Sequence, residues 1–542
     1  MKLPSMAYSN GMSSATQTAF GGLNHTPGAG DGELYHMENL TGADYPLLSS
    51  RPPRWKVRTL TQPGGLFAHT KLCWVDENGF WYDGERKGDV TAGEKQFAAL
   101  GAYLLIWPDK AYYNTQTGAF GSLESTWTGT GLSFQNGTIY EKEAQANTIQ
   151  VPGVNWGDYF KKGDAVTISG CTVHPDNNKS LVIRDIQEDK LVFYEYSFVL
   201  NGEKGDEAYT ETGTVTISRT LPNLDFVCEN ENRVWGCKGN TIYCSKLGDP
   251  FNWNVFDGLA TDAYAVDTGS AGNFTGCVSY LGYPIFFKED HIYKVYGTMP
   301  SNFQVMGTST LGVMAGCGKS LAVAGEVLFY VSRAGVMAYS GGVPQCVSRA
   351  LGNQRLGQAA AGAEGLRYYL SAQGEDEGWH LLVYDTQTKL WHREDETQAT
   401  HFAFHGGILY LLNQSGEIWT VGDVAQPPAE AEQEPQVTWE AEFADFTDGS
   451  PDKKGLFRLH IRLEVEEGGQ VQAWAQVDSD GVWHPMGQPI GPTPKRSFQL
   501  PMIIRRGDHY RLKLTGTGRC RIYSITRERY GGSAYNATPG RI

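Results

Sequence analysis

The sequence predicts an all-β protein: a β-propeller of six or seven blades, with an inserted small β-barrel of SH3- or OB-like kind and a C-terminal β-sandwich. Three observations predict it. A unit of strand, tight turn and strand ending on an aromatic recurs every few tens of residues. That recurrence is interrupted once, by about a hundred residues, too many for a loop between blades. Beyond a Pro-rich acidic stretch the chain changes to strands of strict period two.

Val327-Leu-Phe-Tyr-Val-Ser-Arg-Ala-Gly335-Val-Met-Ala-Tyr339 is the clearest copy of the unit. Its apolar and aromatic residues suit a pleated, buried surface, and Gly335 supplies the positive φ of a hairpin turn. The same pattern is written at Leu72–Tyr82, Val234–Tyr243, Pro284–Tyr296, Leu381–Trp391 and Leu409–Trp419, with a weaker copy at Tyr103–Tyr113. Units that cannot bury their faces alone stack on their neighbours, as blades do.

In chain order, residues 1–60 form an arm expected to close or dock onto the propeller. Each Pro in Tyr45-Pro and Arg51-Pro-Pro-Arg54 biases its predecessor toward extended backbone. The first blades occupy 61–123 and the inserted barrel 124–220, where Ala165–Ser169, Ser180–Arg184 and Lys190–Tyr194 read as short strands between polar turns. The remaining blades fill 221–424. Residues 425–435, acidic and Pro-rich, mark a linker. The sandwich covers 436–530, where Phe457–Val465, Tyr510–Leu514 and Cys520–Ile525 alternate apolar with charged. A flexible tail, 531–542, is expected after it.

Composition narrows the function classes. The net charge is −15; from Gln436 onward 15 Lys/Arg meet 12 Asp/Glu, which leaves −18 on residues 1–435. An acidic body argues against a surface that grips phosphates, though not against standing beside DNA without sticking to it. No run is long and apolar enough to span a membrane, and the start of the chain carries no secretory pattern. The nine Cys are odd in number and irregularly spaced, which reads as buried thiols in a reducing compartment.

Several strings suggest chemistry and are better read as structure. Gly316-Cys-Gly-Lys-Ser320 ends like a phosphate loop, but Val313 stands where the first Gly belongs and a strand follows instead of a helix. His401 and His405 have a zinc spacing only on a helix, and their surroundings are strand-like. Cys228, Cys237 and Cys244 are the densest thiols and contain no Cys-x-x-Cys pair. The Asp176-Asn-Asn178 turn lacks the ligand count of a calcium loop, and Asp445, Asp448 and Asp452 read as a solvated loop. The sequence therefore names no catalytic, cofactor-binding or metal-binding residue, and it assigns no channel-lining or interface residue.

Several stretches resemble one family. Gly21-Gly-Leu-Asn24, Asp31-Gly-Glu33 with Glu38-Asn-Leu40, and Tyr45-Pro with Arg51-Pro look like the N-terminal segment of tail-hub or nozzle proteins of tailed bacteriophages, the packaged-DNA stabilisation proteins. Val234-Trp with Ile242-Tyr-Cys-Ser245 and Gly248-Asp-Pro-Phe-Asn-Trp253 is similar to a blade of those proteins. So is the run from Gly312 through Lys319-Ser320 to Gly335-Val and Tyr339-Ser-Gly341. The resemblance touches much of 20–350. It implies a non-enzymatic virion protein of the tail, made in the host cytoplasm, without a cofactor. It also implies a homo-hexameric ring that abuts portal and adaptor proteins, lets genomic DNA pass without sequence-specific contact, retains the packaged genome, helps its ejection and contributes to host-surface contact. The alternatives are a glycan-binding or glycan-cleaving propeller and a non-viral protein–protein scaffold.

Overall fold

A computed structural model describes residues 12–139, 145–352, 355–447, 453–501 and 506–531. The protein is all-β: among these residues it contains fifty strands, and its helices are five 3-10 turns of three residues each. None of them is long and apolar enough to cross a membrane. The chain divides into two compact units, Gln62–Ala315 and Met1–Thr61 with Gly316–Ile542.

Gln62–Ala315 holds four four-stranded antiparallel meanders, spanning 63–89, 96–122, 226–267 and 276–309. Their inner strands are apolar on both faces because both faces are covered. Cys73, Val75 and Phe80 of the first meander pack with Leu104, Ile106 and Tyr113 of the second. Leu105 and Trp107 pack with Val234 and Trp253. Trp235 and Ile242 pack with Phe286 and Tyr293. Consecutive meanders thus stack face on face. Between the second and third lies an insert of two further sheets, Ser125–Gly129 with Val215–Arg219, Ala165–Ser169 and Ser180–Val182, and a five-stranded sheet spanning 133–210. The two enclose one core around Trp127, Phe134, Trp156, Phe160, Val166 and Ile217.

The second unit has three more meanders: 322–346, 359–393, and Ala399–His405, Ile408–Asn413 and Glu417–Val421. The last takes its fourth strand from Trp55–Thr59, which pairs antiparallel with Glu417–Val421, and Glu432–Gln433 then adds to that edge. Six of the seven recurring units of the sequence are the central hairpins of their meanders, and the seventh, Leu381–Trp391, is the outer hairpin of the 359–393 meander, whose central hairpin joins Arg367–Gln373 to Trp379–Asp385. Gly335 has φ +105°, as its turn requires.

The same unit carries two larger sheets that the N-terminal arm helps to build. Leu34–Glu38 pairs with Thr438–Phe443, and both Met12–Gln17 and Leu48–Ser50 pair with Cys520–Gly531. The stretch read as a linker is held as well: Glu434 accepts from the Arg54 backbone N–H at 2.6 Å and pairs with the Arg51 guanidinium. Residues 532–542, read as a tail, lie outside the described residues.

Candidate functional site

A polar pocket lies on the sheet of Leu34–Glu38, Thr438–Phe443, Tyr510–Thr517 and Gln470–Val477. Period-two alternation buries Trp439, Ala441, Phe443, Val471, Ala473, Leu512 and Leu514 on one face. The polar residues between them therefore share the other face. Register sets them in rows. Thr438, Thr517 and Gln470 stand opposite one another, and the next row is Glu38, Glu440, Thr515 and Gln472. One row further come Glu442, Lys513 and Trp474. The first two rows line a pocket of about 300 Å³ that Pro489 also borders.

Glu38 stands directly opposite Glu440. Like charges placed so are unfavourable, and Lys513 Nζ lies 3.5 Å from Glu440. The Trp474 indole N–H donates to Thr515 Oγ1 at 3.0 Å, so the Thr515 hydrogen is left to donate elsewhere. Gln472 Nε2 donates to the Ala473 carbonyl at 2.8 Å, which leaves its amide oxygen as an acceptor. The arrangement can exchange hydrogen bonds in both directions with a hydroxylated ligand. Sequence reading missed these residues. Their signal is the alternation Gln470-x-Gln472-x-Trp474 and Lys513-x-Thr515-x-Thr517, but which strands lie side by side is not written locally.

A second feature ties the insert to the third meander. Asn252 donates through Nδ2 to Asp164 at 3.1 Å, while its Oδ1 accepts the Ala165 N–H at 2.8 Å. Asp164 is also ion-paired with Arg219, whose guanidinium lies over the Phe251 ring, 5.3 Å from its centroid. Trp253 meets Trp107 edge to face at 6.2 Å. Beside this joint, Leu181, Tyr194, Phe256 and Leu259 line an open cleft of about 630 Å³.

The sequence-derived candidates take structural roles. Gly318–Ser320 is one 3-10 turn; Ser320 Oγ donates to the Cys317 carbonyl at 2.6 Å and accepts the Val331 N–H at 2.9 Å. His401 and His405 lie four residues apart on one strand, so about 13 Å separates them. Burial, with Lys319 nearby, holds His401 neutral well below the usual imidazole range. Asn177 donates to the Tyr209 hydroxyl at 2.7 Å, and Asn178 both accepts from and donates to the Cys171 backbone. Asp445 pairs with Arg511 at 3.1 Å, whereas Asp448 and Asp452 lie outside the described residues. The thiol in contact with Cys228 and Cys237 is Cys277 of the next meander; all nine cysteines are free. At the surface, Asp478, Asp508 and His509 bring ligand atoms within 4.8 Å of one another, although Asp508 and His509 already pair together.

No family model matches the chain, and no curated protein matches it. Among solved structures, the chain is similar to the computationally designed Ika8 protein at 10% identity and TM-score 0.33, covering 68% of this chain and 100% of that one. BamB from Moraxella catarrhalis is similar at 11% identity and TM-score 0.31, over 70% and 99% of the two chains. An arabinoxylan arabinofuranohydrolase of glycoside hydrolase family 43 from Bacillus subtilis follows at 10% identity and TM-score 0.18, over 86% and 95%. Likenesses at these scores carry no argument about function.

Proposed function

We propose that this chain is a structural protein of a bacteriophage tail, a hub or nozzle subunit rather than an enzyme. In this reading the seven meanders are the blades of one propeller, closed by the strand Trp55–Thr59. The 124–220 insert is an SH3- or OB-like barrel and the two larger sheets are a β-sandwich. Six copies form a ring that continues the DNA channel, next to portal and adaptor proteins.

One observation carries the proposal: the residues behind the family resemblance sit at joints where backbone or modules meet. Gly248–Trp253 supplies the Asn252 clamp on the insert. At Gly22 an added Cβ would meet the Trp391 carbonyl oxygen at 2.3 Å, and at Gly312 the Lys288 carbonyl oxygen at 1.9 Å. Such positions specify an architecture. The charge of −18 on residues 1–435 suits a wall that DNA slides past, because a like-charged wall repels phosphate.

Electron microscopy of virions and of the recombinant protein tests this reading. A six-fold ring at the tail, copurifying with portal protein, is the expected result. A strict monomer absent from the particle would defeat it. The glycan-binding alternative is favoured by one feature only, the polar pocket on the Thr438–Phe443 sheet.

A further inference from the structure

We propose that this pocket binds a neutral pyranose unit of a glycan. The inference goes beyond the tail reading and does not rest on it, since it needs neither a ring nor a particle. Its volume of about 300 Å³ falls at the small end of ligand sites, enough for one sugar ring and its substituents.

The lining decides the ligand class. Glu38 and Glu440 can only accept hydrogen bonds, whereas Thr438, Thr515, Thr517 and Gln470 can both donate and accept. A sugar hydroxyl does both at once, and one carboxylate can take two neighbouring hydroxyls. An anionic ligand would face two carboxylates against one lysine. A purely apolar ligand would leave the carboxylates desolvated without partners.

The unused capacity is the second observation. Among the described residues, the side chains of Glu38, Thr438, Gln470 and Thr517 make no hydrogen bond or ion pair within the protein. Glu38 opposite Glu440 sets two like charges across from each other, the kind of local conflict that folds keep at functional sites. Hydroxyl donors placed between the two carboxylates would relieve it. Pro489 offers an apolar wall for the C–H face of the ring.

The test is saturation-transfer NMR on the full chain with the methyl α- and β-pyranosides of glucose, galactose and mannose, each repeated in EDTA, with methyl glucuronide as the anionic comparison. At least one neutral glycoside should bind at millimolar concentration, with or without EDTA, and more tightly than the glucuronide. Glu440→Gln and Thr515→Val should each weaken it about tenfold or more, the size of one lost hydrogen bond to a charged or buried group. Both substitutions keep side-chain shape; should either fail to fold by circular dichroism, Gln470→Ala takes its place. Silence from all six glycosides, binding abolished by EDTA, tighter binding of the glucuronide, or binding indifferent to the variants would each overturn the proposal. Sugar binding by a monomer absent from virions would sink the tail reading and leave this one standing.

Discussion

Asn252 and Asp164 are joined by a 3.1 Å hydrogen bond across 88 positions of sequence, and both are almost fully buried. Asn252 also caps the Ala165 N–H, so one side chain satisfies a carboxylate and the first residue of a strand. Removing it leaves the Ala165 N–H unpaired and takes one hydrogen bond from Asp164, which keeps Arg219. Asn252→Ala should destabilise the Gln62–Ala315 unit by about 2–4 kcal/mol, summing two losses of about 1–2 kcal/mol each. Urea denaturation checks this, and proteolysis should find the insert first. An unchanged midpoint would show that the joint is dispensable.

Arg54 is buried between Glu394 at 2.6 Å and Asp395 at 2.7 Å, immediately before the strand Trp55–Thr59. Arg54→Ala strands the Glu394 carboxylate and leaves Asp395 only the more distant Arg51 as an ion partner, and should cost about 3–5 kcal/mol. The measurement is thermal unfolding with limited proteolysis at residues 50–60.

Acid should destabilise the protein in two stages. Burial holds His392 neutral, lowering its pKa to about 4 against Asp385, which raises it. An imidazole with a folded pKa below its unfolded value of about 6.5 contributes stability above that value. The contribution fades as pH falls from about 6.5 to 4, by about 3 kcal/mol in all. At Asp395, burial alone would raise the pKa, but Arg54 and Arg51 outweigh it and hold the carboxylate at about 2. Its contribution is complete above about pH 4 and is lost as pH falls toward 2, by about 2–3 kcal/mol. Melting temperatures from pH 7 to 2 should fall in both windows, and Asp395→Asn should flatten the lower one.

Gly22→Ala should detach the arm locally. The new methyl would meet the Trp391 backbone, which moves only if Leu23 gives up its 2.7 Å hydrogen bond to the same carbonyl. A loss of about 1–3 kcal/mol is expected from overpacking. Hydrogen exchange should rise across 20–40 while the Gln62–Ala315 unit keeps its protection.

Thiol labelling should be selective. Burial pushes the Cys244 and Cys520 thiols up to about 12 and Cys73 higher still, so little thiolate exists at pH 8. Cys346 is only half buried. Iodoacetamide on the native protein should modify Cys346 well before those three, as peptide mass spectrometry would record.

The sequence by itself determined the all-β class and the seven hairpins. Val327–Tyr339 and its counterparts pair strands a few residues apart, so apolar runs, turn residues and terminal aromatics are all written in one short window. Tertiary structure alone decided how the meander at 399–421 is completed by Trp55–Thr59, and how Leu34–Glu38 comes to lie beside Thr438–Phe443. Those partners are some 360–400 positions apart, and no local periodicity names a distant strand as neighbour. The pocket shares that origin: Glu38, Glu440, Thr515 and Gln472 form a row only because register places them opposite one another, and a shift of one residue would send each to the other face.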